Sequence, residues 1–241
     1  MKYLKAIGIP LAFMSMYLLF GCLLLLITSD SILTMLLANI FISVIGLLYH
    51  KHYVISEQKH YTYKGVLAFL SLLLLTALIM QHTTTFIYDT FGDTAFDSYS
   101  KISNTKIGLF ILLVLVFAPI AEELLMRGIM FKQLSIIMPA PIASMISAII
   151  FALLHGTLLH ILPGIYLGNL FAMVYTYTGK LKYAILFHSL YNFSTLFLGN
   201  IIFPKYMLSF KYVIPPNIVI VFVLFLFGRF VWYKNNIVSK K

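Results

Sequence analysis

Charged side chains are scarce in this sequence, and acidic ones are the scarcest. Only 10% of the 241 residues are charged, with seven Asp and Glu against seventeen Lys and Arg. A soluble domain carries about a quarter of its residues as charged side chains, so that class is excluded. Disorder is excluded because 61% of the residues are hydrophobic. The net charge of +10 falls between the apolar runs, so it indicates membrane topology and no nucleic-acid partner.

Cysteine is nearly absent, since Cys22 is the only one. A single cysteine excludes an intrachain disulfide and a cysteine-based zinc framework. The amino terminus begins with Met1, two lysines and an apolar run at 6–28, which is similar to a signal peptide. The run is too long and lacks a small-residue cleavage site, so we interpret it as a retained first helix.

Long apolar runs fill most of the chain. They predict an all-α polytopic membrane protein, a single domain over residues 1–241 that is a bundle of about eight transmembrane helices. The expected spans are 6–28, 32–49, 65–81, 107–133, 141–158, 163–178, 183–200 and 213–233. The longest connection between spans, residues 82–106, is expected to be extracellular.

Lysine is distributed unevenly between the two sides of this predicted bundle. Eleven lysines fall on the side of the termini and four on the other side. Positive loops stay in the cytoplasm, so both termini are expected to be cytoplasmic. The abundance of Lys, Ile, Asn and Phe favours a bacterial cell membrane as the location.

Three ionisable residues lie within the fourth span: Glu122, Glu123 and Arg127. Each charge at the bilayer centre costs about 2.5–3.5 kcal/mol, so these side chains must face the bundle interior or a water-filled cavity. Glu123 and Arg127 are four residues apart and can pair along one helix face. Glu122 lies about 100° round the helix, which leaves it as the freer carboxylate and the candidate general base.

Two further spans carry polar residues that suit hydrolysis. His155 ends the fifth span, and His188 and Asn192 lie one turn apart in the seventh. A carboxylate and an imidazole could activate a water molecule, while a second imidazole and an amide could donate to an oxyanion. No serine or cysteine is placed as a nucleophile, so hydrolysis without a covalent intermediate is favoured. The rival chemistry is a zinc site at Glu122, His155 and His188.

Three motifs on separate predicted helices resemble those of one family. Glu122–Gly128 is similar to the EExxxR motif, Phe151–His155 to FxxxH, and His188–Asn192 to HxxxN. These are the motifs of the CAAX-protease and bacteriocin-processing (CPBP, or Abi) intramembrane endopeptidases. The resemblance covers roughly residues 106–200, which would be the catalytic core.

The resemblance implies a fold like that of the type II CAAX prenyl endopeptidases, with an intramembrane catalytic cavity open to the cytoplasm. By the family's pattern, Glu122 and His155 would activate water. His188 and Asn192 would form the oxyanion hole. Glu123 and Arg127 would support the site, and no cofactor would be needed.

An active site at membrane depth favours substrates that bring their own apolar anchor. We therefore expect the lipid bilayer and a membrane-associated peptide or protein as partners, such as a bacteriocin or pheromone precursor or a lipidated tail. Two other classes stay open. One is a non-catalytic membrane scaffold or bacteriocin-immunity protein, and the other is a transporter, since intramembrane charges also mark ion pathways.

Overall fold

A computed structural model describes residues 2–53, 61–62, 64–77, 106–156 and 158–198 of the chain. These residues form helices, and no strand occurs among them, so the all-helical prediction is confirmed there. The helices are α1 (Lys2–Thr28), α2 (Ser31–Tyr53), α3 (Lys64–Ala77), α4 (Ile107–Leu134), α5 (Ala140–Leu154), α6 (Leu158–Thr178) and α7 (Leu181–Phe193).

These helices match the first seven expected spans. By length and composition, α1, α2 and α4 can each cross a membrane, and α3 and α5 are shorter apolar helices. The predicted eighth span at 213–233 and nearly all of the predicted extracellular connection at 82–106 lie outside the described residues.

The boundary predicted between the fifth and sixth spans is wrong. The fifth helix ends at Leu154 instead of residue 158, and the sixth begins at Leu158 instead of residue 163. Gly156 has a φ of +70°, a backbone conformation that ends a helix and that glycine adopts without strain. Pro163 lies inside α6.

Helix α4 departs from regular α-helical geometry on both sides of the segment Ala118–Glu123. The segments Leu113–Phe117 and Leu124–Phe131 are π-helical. Such segments disturb the backbone hydrogen-bond ladder and occur frequently at functional sites. Ser147 of α5 donates from Oγ to the Met126 carbonyl in the second segment at 2.9 Å, which ties α5 to α4.

Helices α2 and α4 run parallel to each other. Gly46 faces Leu124 so closely that a Cβ atom on the glycine would lie 3.5 Å from the leucine Cβ. Further along, Cδ2 of His50 lies 3.2 Å from the position of a Cβ on Gly128. Gly46 precedes His50 on α2 and Leu124 precedes Gly128 on α4, so the two helices point in the same direction. The predicted alternation of membrane crossings requires this direction for the second and fourth spans.

Two contacts tie the ends of neighbouring helices together. At one end, Lys106 Nζ lies 2.8 Å from Asp30 Oδ2. The hydrogen bond from Lys106, followed by backbone N–H groups at the start of α2, lowers the pKa of Asp30 below its usual range. At the other end, the Tyr61 and Tyr183 hydroxyls are 2.9 Å apart, which joins the start of α3 to α7.

Helices α5 and α6 approach closely through small residues. A Cβ on Gly164 would lie 2.9 Å from Cα of Ala152, and one on Gly168 would lie 2.7 Å from Cβ of Ala148. Small residues four apart on each helix allow this approach, as is common between membrane helices. The close packing brings the α6 backbone within reach of side chains on α4.

Candidate active site

Glu123 and Arg127 form a buried ion pair along α4. Arg127 Nη1 donates to Glu123 Oε1 at 2.9 Å, and neither side chain is exposed to solvent. The pairing expected from the four-residue spacing is therefore confirmed. Because an isolated buried charge is very costly, each residue makes the burial of the other possible.

The Arg127 guanidinium is held by more than its carboxylate. Its Nη2 donates to the Gly168 carbonyl of α6 at 2.7 Å. Its central carbon lies 5.0 Å from the ring centre of Phe151 and 5.5 Å from that of Phe171. Aromatic rings at these distances attract a cation, so the guanidinium links α4 to α5 and α6.

His188 joins both glutamates of α4. Its Nδ1 lies 2.9 Å from Glu123 Oε1, and its Nε2 lies 3.7 Å from Glu122 Oε2. Since the paired Glu123 carboxylate accepts hydrogen bonds, Nδ1 carries a hydrogen. The His188 ring also stacks on Phe171, with 4.9 Å between centres. These contacts fix the ring with Nε2 toward Glu122.

Glu122 differs from its neighbour in access to solvent. Its side chain is 28% exposed, whereas that of Glu123 is fully buried. The 3.7 Å separation from His188 Nε2 is too long for a direct hydrogen bond. A water molecule placed to one side could reach both atoms at about 2.8 Å.

His155 caps the carboxyl end of α5 and contacts a different part of the site. Its Nδ1 lies 2.8 Å from the Phe151 carbonyl. A carbonyl only accepts, so Nδ1 carries the hydrogen and Nε2 of the neutral ring keeps its lone pair. The Phe151 ring lies edge-on to both imidazoles, 4.7 Å from His155 and 5.9 Å from His188. The motif phenylalanine is therefore the common neighbour of both histidines.

Asn192 lies one turn beyond His188 on α7 and contacts α4. Its Nδ2 donates to the Val114 carbonyl at 2.9 Å. The structure therefore joins Glu122, Glu123, Arg127 and His188 in one connected group. His155 lies beside that group across Phe151, and Asn192 is anchored to the first π-helical segment.

The structure brings two of the three residues named for a zinc site together. Among the described residues, no three His, Cys, Asp or Glu side chains are grouped so that they could hold a metal ion. Glu122 and His188 are neighbours, whereas the contacts of His155 are with Phe151 and His160. No step of the chemistry is therefore derived through a metal.

Several contributors to the site lie outside the three motifs. Phe171 and Gly168 of α6 contact Arg127, and the His160 ring stacks near His155 with 5.9 Å between centres. Nothing in the sequence distinguishes Phe171 and Gly168 from the other apolar and small residues of their helix, so sequence reasoning missed them. His160 could have been noticed, because it follows His155 by five residues across a short turn.

Residues 104–194 match the family model described as Type II CAAX prenyl endopeptidase Rce1-like. This segment is similar to an Rce1-like domain, and it covers less than half of the chain. The matched segment includes α4 to α7 and every residue predicted for the site. The match and the three helices that are long and apolar enough to cross a membrane support an integral membrane protein.

The chain is also similar, over a little more than half of its length, to a protein named as a protease. The membrane-embedded CAAX protease MroQ of Staphylococcus aureus (strain USA300) is 28% identical over 146 residues. The match spans 57% of this chain and 58% of MroQ. No solved structure gives a significant match.

Proposed function

We propose that this protein is an intramembrane endopeptidase that hydrolyses a peptide bond in a membrane-associated peptide or protein precursor. The observation that carries the proposal is the contrast between the two glutamates. Glu123 is fully buried and engaged with Arg127 and His188, whereas Glu122 is partly exposed beside His188. The match to a protease family and the similarity to the CAAX protease MroQ support the same reaction class.

In the proposed first step, Glu122 acts as general base. It takes a proton from a water molecule, whose oxygen attacks the carbonyl carbon of the substrate. His155 accepts the second hydrogen bond of that water through Nε2, since its Nδ1–H is directed to a backbone carbonyl. Both groups stay in place and no covalent enzyme intermediate forms.

His188 and Asn192 then donate hydrogen bonds to the oxyanion of the tetrahedral intermediate. Because His188 already donates Nδ1–H to Glu123, it can donate from Nε2 only when both nitrogens carry hydrogen. Its positive charge is balanced by ionised Glu122 before reaction, while Glu123 is balanced by Arg127. When Glu122 takes the proton it loses its negative charge, and the oxyanion carries a negative charge in its place. The net charge of the connected group and the substrate together therefore stays zero.

Collapse of the intermediate breaks the carbon–nitrogen bond. Glu122 returns its proton to the departing amine, so one water and one peptide bond yield an acid and an amine. The substrate classes that suit this site are bacteriocin or pheromone precursors and lipidated tails, because each carries an apolar anchor to membrane depth. We propose the bacterial cell membrane as the location, with both termini cytoplasmic.

The proposal is tested with purified protein in lipid nanodiscs and by peptidomics of membranes that contain each variant. Glu122→Gln keeps the side-chain shape but removes the base, so cleavage should fall by about 10²-fold or more. The matched control is Glu57→Gln, which changes the chain's remaining glutamate and should cleave normally. A precursor that accumulates only with Glu122→Gln identifies the substrate class.

Other outcomes would favour the alternatives. Full cleavage by Glu122→Gln would reject the mechanism. A cellular phenotype that survives Glu122→Ala and His155→Ala, with normal protein accumulation, would favour a scaffold or immunity protein. Loss of cleavage in a chelator, restored by zinc, would favour the zinc-dependent alternative, whereas the proposal expects no effect.

A further inference from the structure

The carbonyl that binds Asn192 lacks both of the donors that an α-helix or a π-helix would normally supply to it. In the first π-helical segment of α4, the Ala118 N–H donates to the Leu113 carbonyl, five residues back. The next residue, Pro119, has no N–H at all. The Val114 carbonyl therefore accepts no hydrogen bond from Ala118, four residues ahead, or from Pro119, five residues ahead.

The Asn192 side chain takes the place of the missing donor. Its Nδ2 donates to the Val114 carbonyl at 2.9 Å. A carbonyl cannot donate, so this bond selects one of the two orientations of the amide, which otherwise differ by a half turn. The second hydrogen of Nδ2 then remains available for another acceptor. In the opposite orientation the amide oxygen would exchange places with Nδ2 and would repel a developing oxyanion.

We infer that Pro119 is a positioning residue for the oxyanion hole, because it leaves the Val114 carbonyl open to hold the Asn192 amide with its N–H toward the substrate. Pro119 itself touches no reacting atom. It is buried in α4, three residues before the general base. The inference rests on the proposed function, since it assigns Asn192 the role of a donor to the oxyanion.

Pro119→Ala tests this role because alanine restores a backbone N–H that competes for the carbonyls of the preceding turn. We expect kcat to fall about tenfold, less than the loss on removing an oxyanion donor outright, with KM within about twofold. Tm should stay the same or rise, because proline inside a helix is destabilising. General damage to the fold would lower Tm and kcat together.

Two comparisons separate positioning from a general effect of proline. Pro10→Ala changes a buried proline inside α1 and should leave kcat unchanged. In an Asn192→Ala background, Pro119→Ala should cause no further loss of kcat, because the amide it positions is absent. Pro119→Ser restores the same N–H and should reproduce the Pro119→Ala result.

The outcomes are distinguishable from those of the proposed function. Wild-type cleavage with an unchanged kcat in Pro119→Ala would overturn the inference alone. An equal loss of kcat with and without Asn192 would also overturn it. Failure of both Pro119 variants to accumulate would assign the proline a folding role and count against the inference. Absence of wild-type cleavage of any precursor would overturn the proposed function together with the inference.

Discussion

Buried charge at single residues organises this site. Arg127 and Glu123 are both fully buried, and Glu123 Oε1 accepts from Arg127 and His188 together. Transfer of ions out of water costs several kcal/mol for each ion, and the pair offsets this cost only while both partners are present. The same pair also orients the His188 ring, so its contribution combines stability with positioning.

Arg127→Met tests the buried pair directly. The change keeps an apolar side chain of some length but removes the counter-ion of Glu123, and breaking a buried pair costs about 3–5 kcal/mol. We expect a large drop in Tm, measured by thermal unfolding in detergent. Glu123→Gln combined with Arg127→Met should be less destabilised than Arg127→Met alone, because no unpaired charge remains.

The control for this prediction is on the same helix. Lys132→Met removes a cation that is half-buried near the end of α4 and should change Tm much less. Wild-type stability of Arg127→Met, or a double variant that is no more stable than Arg127→Met alone, would contradict the role assigned to the pair.

The sequence predicts contacts within one helix at this site better than contacts between helices. The Glu123–Arg127 pair follows from a four-residue spacing and is confirmed. The contact of His188 with Glu123 depends on how α7 rotates against α4, which no spacing encodes. Pro119 predicts an unpaired carbonyl four residues earlier in a regular α-helix, but the π-helical register of this segment moves it to Val114. The choice of Asn192 as the donor to this carbonyl depends on how α7 packs against α4.

At the scale of helices, small residues determine how closely α5 and α6 can pack. Gly168 contacts Ala148 and also presents its carbonyl to Arg127. A Cβ at this position would lie 3.2 Å from Arg127 Nη2. The tight helix pair and the buried ion pair therefore depend on the same glycine.

Gly168→Ala should destabilise the protein by about 1–3 kcal/mol through overpacking. The added methyl group meets Ala148 and crowds Arg127, so Tm should fall and cleavage should fall with it. Gly21→Ala is the matched control, because a Cβ on Gly21 meets nothing within 4 Å. That variant should be neutral or slightly more stable, since alanine favours helix over glycine. Equal Tm values for the two variants would contradict the assigned role.

The positions of helices were largely predictable, whereas their boundaries were less so. Apolar runs of about 20 residues predict spans because the hydrocarbon core has a fixed thickness. The turn at Gly156 was missed because His155 and its neighbours sit within continuous apolar sequence. The π-helical segments of α4 leave no periodicity that a short apolar run could reveal.

At the scale of the whole molecule, the described contacts separate the two ends of the bundle. Asp30 and Lys106 meet at one end. At the other end, Lys180 Nζ donates to the Tyr61 hydroxyl at 3.3 Å, beside Tyr183. The alternation of crossings places each pair on one side of the membrane. The excess of lysine predicts that the second end is cytoplasmic.

Labelling of single cysteines tests this orientation. Cys22 is the only native cysteine, so Cys22→Ser provides a cysteine-free background. In intact cells a membrane-impermeant maleimide should label Ser29→Cys, an exposed position beside Asp30, and should leave Lys182→Cys unlabelled. Both positions should label in disrupted membranes, which controls for accessibility. The opposite pattern in intact cells would invert the topology and place the cytoplasm at the Asp30 end. The proposed cytoplasmic location of both termini therefore requires that Lys182→Cys stays unlabelled until the membrane is disrupted.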